Sequence, residues 1–216
     1  MRDAELFEEV GHGGSAEPLR SWVRDVLTQL ATTDGPDIAA VRHPLGFICL
    51  PVRRSGDEGV CVHLWSSWLP MAESTTSATH AHSWDLQSFV LFGQVHNELI
   101  EVTDEPAEPT HRVYEVHSLG DVDEIRATGR TVRHATRAVD VHRAGDAYTL
   151  RAGRFHRSVV PPGEETATVA LGRTRSGEHD LSLGPVGGRT HRVARQRCGP
   201  AETVRAARAV TERIGT

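Results

Sequence analysis

Two stretches decide how this chain reads: His80-Ala81-His82 followed by Gly93, and Gly145 followed by Arg151, Gly153 and His156. Alternate residues of a strand point to the same face, so His80 and His82 can send both imidazoles toward one ion. His156, on another strand, would close a facial cap of three histidines and leave the far side of the ion open. An open metal face is suited to chemistry on a bound small molecule. The first stretch is weak on its own, because 13 histidines among 216 residues give roughly one His-x-His by composition alone. The second has independent spacing that reads as a turn, a short strand, a second turn and a histidine on the returning strand.

On these residues the chain resembles the cupin superfamily. Its first motif is His-x-His, three or four residues, Glu, six residues, Gly; its second is Gly, five residues, Pro-x-Gly, two residues, His, three residues, Asn. His80, His82 and Gly93 match the first, and Gly145, Gly153 and His156 the second. The departures are Leu86 at the glutamate, Arg151 at the proline, Val160 at the asparagine and Ser74 at the glycine that often opens the first motif. The resemblance spans roughly residues 45–175 and implies an all-β fold, a cupin-type β-barrel (double-stranded β-helix, jelly roll), here with short N- and C-terminal helices.

Cupins with histidine ligands alone include thiol dioxygenases acting on cysteine and related small thiols, and some carbon–carbon cleaving oxygenases. The resemblance therefore implies a mononuclear non-haem Fe(II)-dependent dioxygenase that takes dioxygen and a small anionic substrate, a thiol, enol or carboxylate. Zn, Ni, Cu or Co would also suit three imidazoles. The competing expectations are a redox-neutral Zn or Ni cupin acting as isomerase, decarboxylase or hydrolase, and a non-catalytic ligand-binding cupin. Gln87 gives a second alignment for the missing glutamate, as a weak ligand, although parity from His80 through Trp84 favours Leu86 as the inward residue. Arg42, Arg53 and Arg54 all precede the first motif, and none matches a substrate-clamping arginine cleanly. Cupins commonly pair, so a homodimer is expected by analogy.

The same parity nominates the substrate contacts. Tyr148 shares a face with Leu150, and its phenol could donate a proton beside the metal. Trp84 follows His80 and His82 in phase and reads as pocket wall. Arg154 shares parity with His156, and its guanidinium fork would fit a carboxylate.

Around the motifs, Leu19, Trp22, Val23, Val26, Leu27 and Leu30 recur at helical spacing, so residues 18–32 read as an amphipathic helix packed outside the barrel. Runs at 45–53, 60–69, 89–102, 112–116, 147–150, 155–160 and 167–173 carry strand signals. Residues 104–109 and 120–130 read as loops, the second at the barrel mouth. Val204, Ala207, Val210 and Ile214 predict a closing helix. The expected layout is a helical extension over 1–40, a barrel over 41–183, and an arginine-rich segment with helix over 184–216.

Composition narrows the remaining classes. All 24 basic residues are arginine, which excludes Schiff-base and P-loop lysine chemistry. Net charge −5 and no interleaved aromatics around Arg189, Arg192, Arg195 and Arg197 argue against nucleic acid. An acidic N-terminus, no long apolar run and three cysteines without Cys-x-x-Cys spacing lead to the expectation of a cytoplasmic protein without membrane contact. Cys49 and Cys61 sit in apolar runs and read as small core residues.

Overall fold

A computed structural model describes residues 3–32, 38–173 and 177–214. Helices α1 (Asp3–Gly11) and α2 (Glu17–Thr32) lead into β1 (Val41–His43), β2 (Phe47–Ser55), β3 (Glu58–Trp65), β4 (His80–Ala81), β5 (Leu86–Phe92) and β6 (Gln94–Asp104). Then follow β7 (His111–Leu119), β8 (Val122–Arg143), β9 (Ala147–Leu150), β10 (His156–Val159), β11 (Thr166–Arg173), β12 (Asp180–Gly184), β13 (His191–Ala194), β14 (Gln196–Arg197) and α3 (Pro200–Ile214). The strands form two antiparallel sheets, ordered β14-β1-β2-β3-β11-β5-β9 and β13-β8-β6-β10-β4-β12-β7. Two facing antiparallel sheets with short terminal helices are the expected jelly-roll barrel. Among the described residues no helix is long and apolar enough to cross a membrane.

Alternation along β2 and β3 divides the first sheet into two faces with different work. Ile48, Leu50, Val60, Val62 and Leu64 are buried with Leu19, Val23 and Leu27 of α2 and Ala207 and Val210 of α3 in the largest apolar cluster. That cluster lies on the outer side of the barrel, where the helix over 18–32 is expected, and α3 joins it there. The intervening residues Phe47, Cys49, Cys61, His63 and Trp65 face a cavity of about 830 Å³ lined by both sheets. Cys49 and Cys61 are thus half-buried wall residues, not core. Their neighbours Ile48, Leu50, Val60 and Val62 already take the core-facing phase.

The run expected over 89–102 is split by Gly93 into β5 and β6. Gly93 has φ +75°, and a Cβ there would fall on the Glu165 carbonyl and the Thr166 hydroxyl. Only glycine combines that backbone with that approach. The loop expected over 120–130 is corrected: from Val122 the chain is β8, paired with β7 through its first half and β6 through its second. Its mostly exposed, polar residues resemble a loop in composition, yet its backbone is laddered to β7 and β13 in its first half and to β6 in its second.

Residues 184–216 add β13 and β14 to the two sheets before α3 packs on α2. Of Arg189, Arg192, Arg195 and Arg197, three are ion-paired: Arg192 to Glu124 at 3.2 Å, Arg195 to Asp123 at 2.7 Å, and Arg197 to Asp121.

Gly93→Ala is expected to lower the unfolding free energy in urea by roughly 3 kcal/mol, combining left-handed strain with a backbone clash. Gly145 has φ +95° and open space around it. Gly145→Ala should therefore cost only about 1–2 kcal/mol.

Candidate metal centre

His156 on β10 lies directly opposite His80 on β4, and His82 follows two residues after His80. The three rings converge, with centroid separations of 4.2 Å (80–156), 4.8 Å (80–82) and 5.3 Å (82–156). One nitrogen from each lies within 4.8 Å of the others. The cluster stands in the cavity wall, with His156 only 1% exposed.

Hydrogen bonding identifies the nitrogens that face inward. His80 Nδ1 lies 3.0 Å from the Ala78 carbonyl and His156 Nδ1 lies 3.0 Å from the Arg154 carbonyl. A carbonyl only accepts, so both Nδ1 atoms carry the proton and both Nε2 atoms keep a lone pair. Burial, reinforced by the neighbouring imidazoles, lowers the pKa of His80 well below the ordinary range and that of His156 to about 4. Both rings are therefore neutral at pH 7. His82 Nδ1 is buried without a hydrogen-bond partner and faces Asp180 Oδ2 at 3.8 Å. Burial would raise the Asp180 pKa, but His82 and the backbone and hydroxyl of Ser83 hold it below the usual value. Two neutral imidazoles with fixed tautomers, and a third beside an outer carboxylate, are a donor set that fits a divalent transition metal.

No protein-family model matches the chain, and no curated protein matches it. Among solved structures it is similar to an uncharacterized conserved protein with a double-stranded β-helix domain from Klebsiella pneumoniae, at 14% identity over 64% of this chain and 84% of that one, TM-score 0.36. It is similar to the polyketide cyclase RemF from Streptomyces resistomycificus at 14% identity, covering 69% of this chain and 80% of that one, TM-score 0.40. A third is hydroxypropylphosphonic acid epoxidase from S. wedmorenis, at 10% identity, 64% of this chain and 56% of that one, TM-score 0.35. At these scores the likeness carries no argument about the reaction. The fold stands on its own sheet topology.

The other expected residues divide. Leu86 borders the cavity beside the histidines, packed with Leu150, Ala170, Trp84 and Tyr148. Trp84 stacks on His82 at 4.5 Å and fills the space over Gly172, where a Cβ would lie 2.5 Å from Trp84 Cζ3. Tyr148 also borders the cavity, opposite Ser88 and stacked on His142 at 4.3 Å. Burial raises its pKa despite hydrogen bonds with Ser88 and Asn97, which keeps the phenol protonated. Gln87 is not a cavity residue: it pairs with Thr149 and Leu171 in the opposite phase from Leu86, which removes it as a ligand. Arg154 is exposed on the turn and absent from the cavity wall. What it supplies is its carbonyl to His156.

Of Arg42, Arg53 and Arg54, Arg42 is ion-paired with Glu202 at 2.5 Å, and Arg54 lines the cavity. A bulge between Leu50 and Arg53 shifts the phase, so that Arg54, not Arg53, follows Phe47 and Cys49 onto the inner face. Asp180 gave no signal in the sequence, since it belongs to neither motif and meets His82 only through the pairing of β12 with β4.

Asp180→Asn should weaken metal binding by roughly 10- to 100-fold with all three histidines retained. Competition against a chelator of known affinity measures it, and an unchanged constant would remove Asp180 from the site.

Proposed function

We propose that this chain is a mononuclear non-haem Fe(II)-dependent dioxygenase acting on a small anionic substrate. The observation that carries the reading is three imidazoles converging at a cavity, with an aliphatic residue, Leu86, where a fourth, anionic ligand would stand. Three neutral ligands leave a divalent ion's charge uncompensated, which favours a thiolate, enolate or carboxylate as the incoming group. When bound, iron would supply the reducing power that activates dioxygen next to the held substrate.

The chain's own residues do the rest. The carbonyls of Ala78 and Arg154 hold the His80 and His156 rings in one tautomer, and Asp180 faces the third. Leu86, backed by Leu150, and Trp84 make an apolar wall beside the histidines. That wall excludes water and strengthens each charge interaction within. Arg54 supplies a permanent positive charge to the cavity and suits a second anionic group on the substrate. The Tyr148 phenol, kept neutral by burial, serves as a hydrogen-bond or proton donor. The cavity volume of about 830 Å³ is on the scale of a small-molecule site.

The first test is the iron content of protein purified without oxygen, beside His156→Ala. About one iron per chain in the wild type, absent from the variant, is expected. Oxygen uptake with a panel of small thiols, enols and carboxylates then follows. Turnover indifferent to oxygen with Zn(II) or Ni(II) bound would replace this reading with a redox-neutral one, and no turnover with any metal would leave a binding protein. Tyr148→Phe should lower kcat by about a hundredfold with iron content unchanged.

A further inference from the structure

The sheet facing the three histidines carries a second group of donors. Cys49 on β2 is directly paired with His63 on β3, and Cys61 precedes His63 by two residues on the same strand. Alternation therefore sends all three side chains to one face, and all three line the cavity. The two sulfurs and an imidazole nitrogen lie within 4.8 Å of one another. Both cysteines are free thiols.

The construction repeats that of the histidine site. There, two residues at i and i+2 are joined by a third from the antiparallel neighbour, His156 opposite His80. Here, Cys61 and His63 are joined by Cys49 opposite His63. The His63 ring is fixed by packing, tilted on Phe47 at 4.4 Å and edge-on to Trp65 at 6.1 Å. Such packing lowers the entropy lost when the ring binds an ion.

We propose that Cys49, Cys61 and His63 form a second metal site that takes a thiophilic ion, Zn(II) or Cu(I), with a coordination position open to the same cavity. Two sulfurs and one imidazole are a donor set that favours these ions over iron, whereas three imidazoles without sulfur suit iron and zinc alike. On binding, each cysteine loses its Sγ–H proton to solvent as a sulfur–metal bond forms, His63 donates a nitrogen lone pair, and no electron is transferred. Two thiolates cancel the charge of Zn(II), so the cavity would hold a doubly positive centre on one sheet and a neutral one on the other. That difference would direct an anionic substrate to the histidine site.

The test loads reduced, full-length protein with Zn(II) and measures the zinc retained after dialysis. The expected content is about two ions per chain for wild type, one for His156→Ala, one for Cys61→Ser and none for the double variant. One ion in wild type and one in Cys61→Ser would overturn the proposal. A reading that needs no variant comes from Co(II): thiolate-to-Co(II) charge-transfer absorption in the near ultraviolet is expected in wild type and in His156→Ala. Its absence at saturating Co(II) overturns the site even where Cys61→Ser does not fold. Failure of the dioxygenase reading is separable, since it appears as missing iron or missing oxygen uptake with the thiolate band intact.

Discussion

The antiparallel register that sets His156 opposite His80 is the constraint on which the site depends. β4 has only two residues, and it is held in place by β10 on one side and β12 on the other. Backbone bonds just beyond its ends complete the clamp, from Gly153 N–H to the His82 carbonyl at 2.8 Å and from Leu183 N–H to the Thr79 carbonyl at 3.0 Å. A slip of one residue would turn His80 and His82 away from the cavity and place Ala81 there. Register also settles protonation, because burial among other imidazoles disfavours the charged ring while the i−2 carbonyls fix the N–H on Nδ1.

A barrel whose interior is reserved for a polar site must find its hydrophobic core elsewhere. Here it lies between the outer face of the first sheet and the helices, where alternate residues of β2, β3 and β11 meet α2 and α3. Because that layer buries the large aliphatic side chains, the inner face is free to carry histidines, thiols and aromatic rings. Some polar groups that enter the interior are paired across strands. Asn97, fully buried, accepts a hydrogen bond from Ser158 at 2.8 Å, and it also reaches Tyr148.

The parts of this arrangement that were legible in the sequence are those set by local periodicity. The His-x-His phase, the turn glycines and the helical stripe of α2 each depend on neighbours within a few residues. β8 was not legible, because its pairing with β7 along its first half and β6 along its second is non-local, and its composition is that of a loop. Arg54 required knowledge of a bulge that reverses phase between Leu50 and Arg53. Cys49 and Cys61 were misread for a related reason: both faces of β2 and β3 are covered, so their strands read as continuous apolar runs with no phase to separate core from cavity. The Asp180–His82 contact was beyond reach because it arises from pairing between segments 98 positions apart in the chain.

The absence of lysine bears on what the cavity can hold. Its fixed positive charges come from arginines, and two line it, Arg54 and Arg195. Arg195 is bonded to Asp123 through two guanidinium nitrogens, at 3.0 and 2.7 Å, and to Ser118 at 2.7 Å, so its charge is largely offset within the β7–β8 turn. An anion entering the cavity therefore meets the positive charge of Arg54, and would meet a second where a divalent ion is bound by His80, His82 and His156. A guanidinium binds a carboxylate through two parallel hydrogen bonds, whereas an ion with neutral ligands accepts a single anionic donor atom. A substrate with a carboxylate at one end and a second anionic group at the other would engage both, and its orientation would be set before any bond changes.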